Sequence, residues 1–151
     1  MPKHIGMLRD AYRAAPYFDE FIGAIENIYR SAPRNLAGFN LAFLEFMFQI
    51  LEIDCELVFS SRLGCTGDRN SRLAATVKAV GGTHYLSGTG ALDYLEPQVF
   101  HAADIILEIQ SFTHPTYTQL HGEFIPGLSC LDILFNCGRQ SARILRAKCA
   151  F

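Results

Sequence analysis

The chain has 151 residues, of which 50% are hydrophobic and 19% are charged, a composition that favours a folded domain and excludes a disordered chain. The formal net charge of −2 excludes a general electrostatic affinity for nucleic acid or for anionic membranes. No apolar run is long enough to span a bilayer and the first residues carry no signal-peptide pattern, so we expect a cytoplasmic protein without membrane insertion.

The five cysteines favour a reducing compartment. Their number is odd and no two form a C-x-x-C pair, which predicts reduced thiols instead of a disulfide framework. Two of them share a face of one predicted helix, where small buried apolar residues are the favoured interpretation and redox or metal chemistry is the alternative. That pair is Cys130 and Cys137, and the other three are Cys55, Cys65 and Cys149.

The first third of the chain predicts three helices, over residues 4–14, 16–30 and 35–53. Pro16 separates the first two because proline disfavours helix in the residue before it and fits the first turn of the next helix. A turn follows at residues 31–34. The third predicted helix is apolar around most of its circumference, so we expect it either between two layers of structure or at a subunit interface.

Beyond residue 54 the hydrophobic pattern changes to that of strands alternating with helices, which predicts a βαβαβ unit with a parallel sheet. The predicted strands, helix and helical turn cover residues 56–60, 71–80, 83–87, 91–94 and 104–109. The fold class is therefore α/β: a Rossmann-like three-layer unit with a short parallel sheet of about three strands and a helical N-terminal region. Three strands are few for a parallel sheet, which needs both faces covered, and this favours a chain that is half of a larger structure.

The remainder of the chain predicts a long loop and C-terminal helices. The loop covers residues 111–128, and the last helical region, 129–147, is broken at Gly138 because glycine commonly ends helices. We expect a single domain over residues 1–151. It consists of a helical segment over residues 1–54, a βαβαβ segment with the long loop over residues 55–128, and C-terminal helices over residues 129–151.

Ligands of open α/β sheets bind beyond the carboxyl ends of the strands, where two loops of this sequence are expected. The second loop, residues 87–91, has a serine and two glycines ahead of a helical turn, which is the composition of an anion nest. The expected anion-binding groups are Ser87, Gly88 and Gly90, with charge from Arg72, or from Arg62 and Arg69, of the first loop, 60–72. A plain tight turn is an equally favoured interpretation. A third glycine and a Walker lysine are missing, so no cofactor is predicted.

Three further side chains near these loops are informative. Asp93 and Tyr94 follow the glycines and are expected to line the same cleft, Tyr94 in ligand binding and Asp93 as a candidate catalytic carboxylate. The alternative for Asp93 is a first-turn carboxylate that stabilises the helix dipole. His84 lies inside a predicted strand and is expected to be a core histidine instead of a base.

The loop after the third predicted strand is rich in polar side chains between residues 114 and 124. We expect His114, Tyr117 and Gln119 to line a polar substrate site, because loops carry specificity on a rigid scaffold. The alternative is a loop held to the surface by its own hydrogen bonds. The spacing does not suit a metal site, so none is predicted. If the protein is an enzyme, His114 is the candidate general acid or base, because an imidazole titrates near neutrality.

Segments along nearly the whole chain form an ordered set of motifs. The longest reads His114-Pro115-x-Tyr117-x-Gln119-Leu120-His121-Gly122-Glu123-Phe124, continues to Ser129, and is followed by Asp132-x-Leu134-Phe135-Asn136. Shorter ones are Ala14-Ala15-Pro16-Tyr17-Phe18, Asn35-Leu36, Phe39-Asn40, Thr83-His84-Tyr85-Leu86-Ser87-Gly88 and Asp93-Tyr94-Leu95. Together these motifs resemble the WbqC-like protein family.

The resemblance implies a place in bacterial O-antigen or other surface-polysaccharide biosynthesis, in a family that is largely uncharacterised. The implied activity is that of a transferase acting on a nucleotide-activated or amino sugar. Family members usually carry an upstream Q-P-x-Y-x-P motif, which this sequence does not contain. The resemblance therefore also favours a fragment, an accessory copy or one half of a split protein.

Two hypotheses of function follow. The first is a WbqC-like protein of surface-glycan biosynthesis that binds an anionic small molecule, a phosphorylated or nucleotide-linked sugar, between residues 60–72 and 87–91 and acts as a transferase. The second is a non-catalytic binding or assembly module, or a fragment that completes a partner's fold. The apolar third helix and the thin sheet favour the second hypothesis, with a homodimer as the expected assembly.

Overall fold

A computed structural model describes residues 2–31 and 35–147, so Cys149 and most of the predicted turn at 31–34 lie outside the described residues. The chain divides into two compact units. Unit 1 comprises residues 1–54 and 113–151, and unit 2 comprises residues 55–112. Unit 2 is therefore an insertion, in sequence, between the two segments of unit 1.

The described residues form seven α-helices and two strands. The helices are α1 (Pro2–Tyr12), α2 (Phe18–Ser31), α3 (Leu36–Leu51), α4 (Arg69–Ala79), α5 (Pro97–Ala102), α6 (Cys130–Cys137) and α7 (Ser141–Arg146), and the strands are β1 (His84–Ser87) and β2 (Ile106–Ile109). Three 3₁₀ helices cover Ser60–Arg62, Thr89–Tyr94 and Gly138–Gln140. The three predicted N-terminal helices, the predicted helix at 71–80 and two of the three predicted strands are confirmed. No helix in the described region of the chain is long and apolar enough to cross a membrane.

The core of unit 1 brings α2 and α3 against α6. Ile25, Leu134 and Phe135 are fully buried, and the backbone amide of Tyr17 donates to the carbonyl of Phe135 at 3.0 Å. Asn35 begins α3 by accepting a hydrogen bond from the Gly38 amide. The periodicity of α2 and α6 thus becomes one packed interface between segments distant in sequence.

The apolar helix α3 is covered on one face only. Met47 and Ile50 are buried, whereas Leu36 is 74% exposed and Leu44 is 47% exposed. The expectation that this helix lies between two layers is therefore wrong for the described residues, because its hydrophobic surface is wider than the contact that α2 and α7 provide. Its place at a subunit interface stays a prediction.

The predicted helix break at Gly138 is confirmed and has a steric cause. Gly138 has φ of +59° and ψ of −142°, a conformation that favours glycine. A Cβ atom at this position would lie 2.6 Å from Cδ1 of Tyr17. The Tyr17 ring therefore packs directly on the glycine backbone, and a larger residue does not fit.

The four cysteines of the described residues are free thiols. The prediction that the pair in α6 is buried is wrong for Cys130, which is exposed, and Cys137 is half-buried. Burial raises the pKa of the Cys137 thiol, and the nearby Asp132 raises it further. Because the thiolate is the reactive form, Cys137 is expected to be unreactive at neutral pH.

Unit 2 contains a two-stranded parallel sheet, with Tyr85 opposite Leu107. These two side chains pack on the cluster formed by α4, α5 and Ile105, in which Phe100 is fully buried. On the other face Leu86 and Ile106 are 53% and 55% exposed. The sheet has one covered face, so the described residues support an α/β structure but not a three-strand, three-layer Rossmann-like unit.

Two predictions for this unit are wrong. The first is the strand predicted at residues 56–60, because residues 53–59 form no helix or strand. A strand forms only where a neighbouring strand pairs with its backbone N–H and C=O groups. The second is His84, expected in the core, whose side chain is 48% exposed. It lies on the uncovered face of the sheet, where its Nδ1 is 2.8 Å from the Thr83 hydroxyl.

Candidate functional site

A buried asparagine joins the start of α4 to residues 94–96 in unit 2. Asn70, in the first turn of α4, is 3% exposed. Its Nδ2 donates to the carbonyl of Tyr94 at 3.1 Å and to Oε1 of Glu96 at 3.0 Å, and its Oδ1 accepts from the amide of Glu96 at 3.3 Å. All polar groups of this side chain are used to hold residues 94–96 against α4.

Between these elements lies an open cleft of about 410 Å³. Its lining residues are Asp68, Arg69, Asn70, Asp93, Tyr94, Leu95 and Glu96. The guanidinium of Arg69 lies 4.5 Å from the centre of the Tyr94 ring, a cation–π contact. The cleft thus combines three carboxylates with one guanidinium and a flat aromatic surface.

The three carboxylates of the cleft differ in what they already bind. Asp68 caps α4, and the hydrogen bond from the backbone amide of Ser71 lowers the pKa of this carboxyl group. Glu96 accepts from Asn70, whereas the Asp93 carboxylate has no hydrogen-bond partner among residues 2–31 and 35–147. Ionised carboxylates accept hydrogen bonds only, so this cleft suits a ligand that carries hydroxyl or amino donors.

The predicted site residues of unit 2 fall into two groups. Asp93 and Tyr94 line the cleft, and their roles in catalysis and ligand binding stay predictions. Ser87, Gly88, Gly90 and Arg72 are not among its lining residues. Ser87 is buried, and its hydroxyl donates to the Gly88 carbonyl at 3.4 Å.

The two glycines of this loop are exposed and have no positive φ. A Cβ atom on Gly88 or Gly90 would meet nothing within 4 Å. The conformation of the chain therefore does not itself require glycine at either position. The anion-binding role of the loop stays a prediction.

Unit 1 contains a buried carboxylate that the candidate residues chosen from sequence did not include. Asp132 of α6 is 3% exposed. Its Oδ1 accepts from the Tyr12 hydroxyl at 3.0 Å and from Asn136 Nδ2 at 3.3 Å, and its Oδ2 accepts from the Tyr117 hydroxyl at 2.7 Å and from Gln119 Nε2 at 2.9 Å. Four neutral donors surround a group that can only accept, so the carboxylate is matched to its surroundings.

The predicted loop after β2 is held by this network and by its own hydrogen bonds. Gln119 donates to the carbonyl of Ile125 at 3.0 Å and accepts from its amide at 2.8 Å. His121 Nε2 donates to the carbonyl of Ala11 at 2.9 Å. The polar groups of Tyr117 and Gln119 therefore form hydrogen bonds with other residues of unit 1. Their predicted ligand contacts stay predictions.

His114, the candidate general acid or base, belongs to the same loop. It is half-buried, and its Nδ1 lies 3.2 Å from the carbonyl of Pro115. A carbonyl only accepts, so Nδ1 is the donor in this contact. The imidazole packs near the rings of Tyr117 and Phe124, with centroid separations of 6.3 and 5.7 Å. No group of three or more potential metal ligands occurs in residues 2–31 and 35–147.

The Asp132 network predicts a loss of stability at alkaline pH. Burial, followed by the hydrogen bond to Asp132, raises the pKa of Tyr12 to about 12, and the same causes raise the pKa of Tyr117. Above pH 10 the unfolded state releases these protons first, so the free energy of unfolding falls as pH rises through 10 to 12. We expect denaturant unfolding at stepped pH to show this fall, and the Tyr12→Phe/Tyr117→Phe variant to show a shallower one. An unchanged slope would contradict the prediction.

Comparison with known proteins identifies the same family as the sequence motifs. The model of the WbqC-like protein family matches residues 1–144. A Mycobacterium tuberculosis protein named "Uncharacterized protein Rv1507c" is 30% identical over 145 residues, which cover 95% of this chain and 63% of that protein. The chain thus spans less than two thirds of the length of this relative. No solved structure matches this chain. A match over 144 of 151 residues includes both units, and the chain belongs to the WbqC-like protein family.

Proposed function

We propose that this protein acts in bacterial O-antigen or other surface-glycan biosynthesis, where it binds a phosphorylated or nucleotide-linked sugar and acts as a transferase. The pathway and the reaction type come from the family resemblance. The ligand class rests on one observation, the cleft of unit 2 with its three carboxylates and its arginine-covered tyrosine.

The sugar is the portion of such a ligand that suits the cleft. Sugar hydroxyls donate hydrogen bonds to Asp93 and Glu96, and the apolar face of a sugar ring packs on Tyr94, which is 44% exposed. A phosphate inside the cleft would meet three carboxylates and a single guanidinium, which is an unfavourable balance of charge. The phosphate is therefore assigned to groups at the rim.

Sequence spacing supports a position of the predicted anion-binding residues close to the cleft. Arg72 follows Arg69 by three residues on α4, so the two are neighbours on the helix surface. Gly90 precedes Asp93 by three residues in a 3₁₀ helix, in which such residues lie above one another. We assign the phosphate to Arg72 and to the backbone amides of residues 88–90, with Ser87 as their support.

His114 is proposed separately as the general acid or base. The contact between its Nδ1 and the Pro115 carbonyl supports this role by fixing the orientation of the ring. It belongs to unit 1, and its proposed role is argued only from its contacts within that unit. Tyr117 and Gln119 are proposed to support this side chain.

The ligand proposal predicts a specific loss in the Asp93→Asn variant. A ligand at about 100 times its dissociation constant adds roughly 2.7 kcal/mol to the folded state, so a sugar nucleotide is expected to raise the melting temperature of the unaltered protein. Asp93→Asn removes an acceptor for sugar hydroxyls and is expected to lose most of this shift. A thermal-shift panel of nucleotides, sugar nucleotides, free sugars and inorganic phosphate at fixed ionic strength provides the measurement.

The matched control is Asp104→Asn, which makes the same change of charge in unit 2 at an exposed residue outside the cleft. Asp104 has φ of +51°, which asparagine tolerates. We expect its ligand response to equal that of the unaltered protein. Equal responses in both variants would contradict the assignment of the sugar to the cleft, and no response to any ligand would contradict the proposed function.

The uncovered face of the sheet favours a second candidate function, a non-catalytic assembly module. Leu86 and Ile106 expose more than half of their surface on this face, and Leu57, Val58 and Phe59 are exposed as well. Parallel sheets normally have both faces covered. A flat ligand response, together with a mass that increases with concentration in sedimentation, would favour this candidate over the first.

A further inference from the structure

We propose that Asp132 is a positioning residue for His114, acting through a single carboxylate oxygen. The inference rests on the proposed role of His114 as general acid or base and adds the residue that fixes the place of its ring. Asp132 acts through intermediate side chains. It holds the two aromatic rings near which the imidazole packs.

The first of these rings is held directly. The Tyr117 hydroxyl donates to Oδ2 of Asp132 at 2.7 Å, and Tyr117 is 9% exposed. The Tyr117 ring makes an edge-to-face contact with Phe124 at 5.2 Å and lies 6.3 Å from the His114 ring. A displaced Tyr117 would therefore change the surface that His114 packs on.

The second ring is held through Gln119. Its Nε2 donates to the same Oδ2 at 2.9 Å, and its amide group forms two hydrogen bonds with the backbone of Ile125. Ile125 directly follows Phe124, whose ring lies 5.7 Å from His114. Both rings beside the imidazole are thus linked to Oδ2, one directly and one through Gln119 and Ile125.

The other oxygen of the carboxylate has different partners. Oδ1 accepts from Tyr12 of α1 and from Asn136 of α6, neither of which belongs to the loop. Two hydrogen bonds therefore support the loop and two support the helices. This division provides variants that remove the same number of bonds to the carboxylate on either side.

The test compares two double variants by proton NMR of the His114 ring: the loop-side variant Tyr117→Phe/Gln119→Leu and the helix-side variant Tyr12→Phe/Asn136→Leu. The resonances of the His114 ring are assigned by their absence in His114→Gln. Neighbouring aromatic rings displace these resonances from their unfolded positions. We expect the loop-side variant to lose most of this displacement and the helix-side variant to keep it, even if both have a lower free energy of unfolding. If either double variant fails to fold, the single variants Tyr117→Phe and Tyr12→Phe make the same comparison.

Unchanged His114 resonances in the loop-side variant, or equal changes in both variants, would overturn the proposal. The ring resonances report the position of His114 whether or not the protein turns over a substrate. A failure of the proposed function, seen as the absence of any ligand response, is therefore distinguishable from a failure of this inference.

Discussion

Replacing Gly138 by alanine is expected to lower the free energy of unfolding by about 3 kcal/mol or more. Two costs combine at this position. The backbone has φ of +59° and ψ of −142°, which a residue with a Cβ atom adopts only with strain, and the added methyl would lie 2.6 Å from the Tyr17 ring. A small movement of the backbone or of the Tyr17 ring relieves neither cost, because Gly138 itself is buried. Chemical denaturation of the purified variant measures the effect.

The control for this prediction is Gly23→Ala. Gly23 lies inside α2, has ordinary helical geometry and has nothing within 4 Å of an added Cβ atom. Alanine there is expected to raise stability by about 0.5 to 1 kcal/mol, because it favours the helix. The interpretation of Gly138 is wrong if its alanine variant is as stable as the unaltered protein.

The second large effect is expected for Asp132→Ala, with a loss of about 3 kcal/mol. Removal of the carboxylate leaves the hydroxyls of Tyr12 and Tyr117 without their acceptor and takes away one of the two acceptors of the Gln119 amide. A buried donor without a partner costs about 1–3 kcal/mol, and water entering the space offsets some of the sum. Denaturant unfolding at pH 7 measures the loss.

Asp10→Ala is the control, because it removes an exposed carboxylate from the same unit. Exposed substitutions of this kind usually change stability by less than about 0.5 kcal/mol. We therefore expect Asp132→Ala to lower the free energy of unfolding clearly more than Asp10→Ala. If both change stability equally, the Asp132 network does not hold the loop as we describe.

The elements of the fold that were predictable are those set by local pattern. The apolar spacing of Phe18, Phe21, Ile22 and Ile25 identified α2, and all four side chains are buried. Residues 56–60 had an equally clear strand composition, but no neighbouring strand pairs with them in the described residues. Composition expresses a preference for extended backbone, whereas a strand exists only with its hydrogen-bonding partner.

In the candidate site too, residues marked by a local sequence pattern were predictable, and residues defined by tertiary partners were not. Asp93 and Tyr94 could be chosen because they follow a glycine-rich loop, a signal that is local in sequence. Asn70 could not, since its importance comes from partners 24 and 26 residues away. Asp132 lies in a recognisable motif, yet its first donor, Tyr12, is 120 residues distant. Burial of a polar side chain depends on such tertiary partners, and single-sequence patterns do not contain them.

The insertion of unit 2 between the two segments of unit 1 has a consequence for biosynthesis. Residues 1–54 leave the ribosome well before α6, whose Leu134 and Phe135 complete their core. During that interval α2 and α3 lack the α6 side chains that complete their core, and the apolar surface left exposed favours aggregation. Joining Tyr12 to Asp132 closes a loop of about 120 residues, and the entropic cost of closure rises with the flexible length of the loop. If unit 2 folds first, that flexible length falls, so we expect its early folding to speed the completion of unit 1.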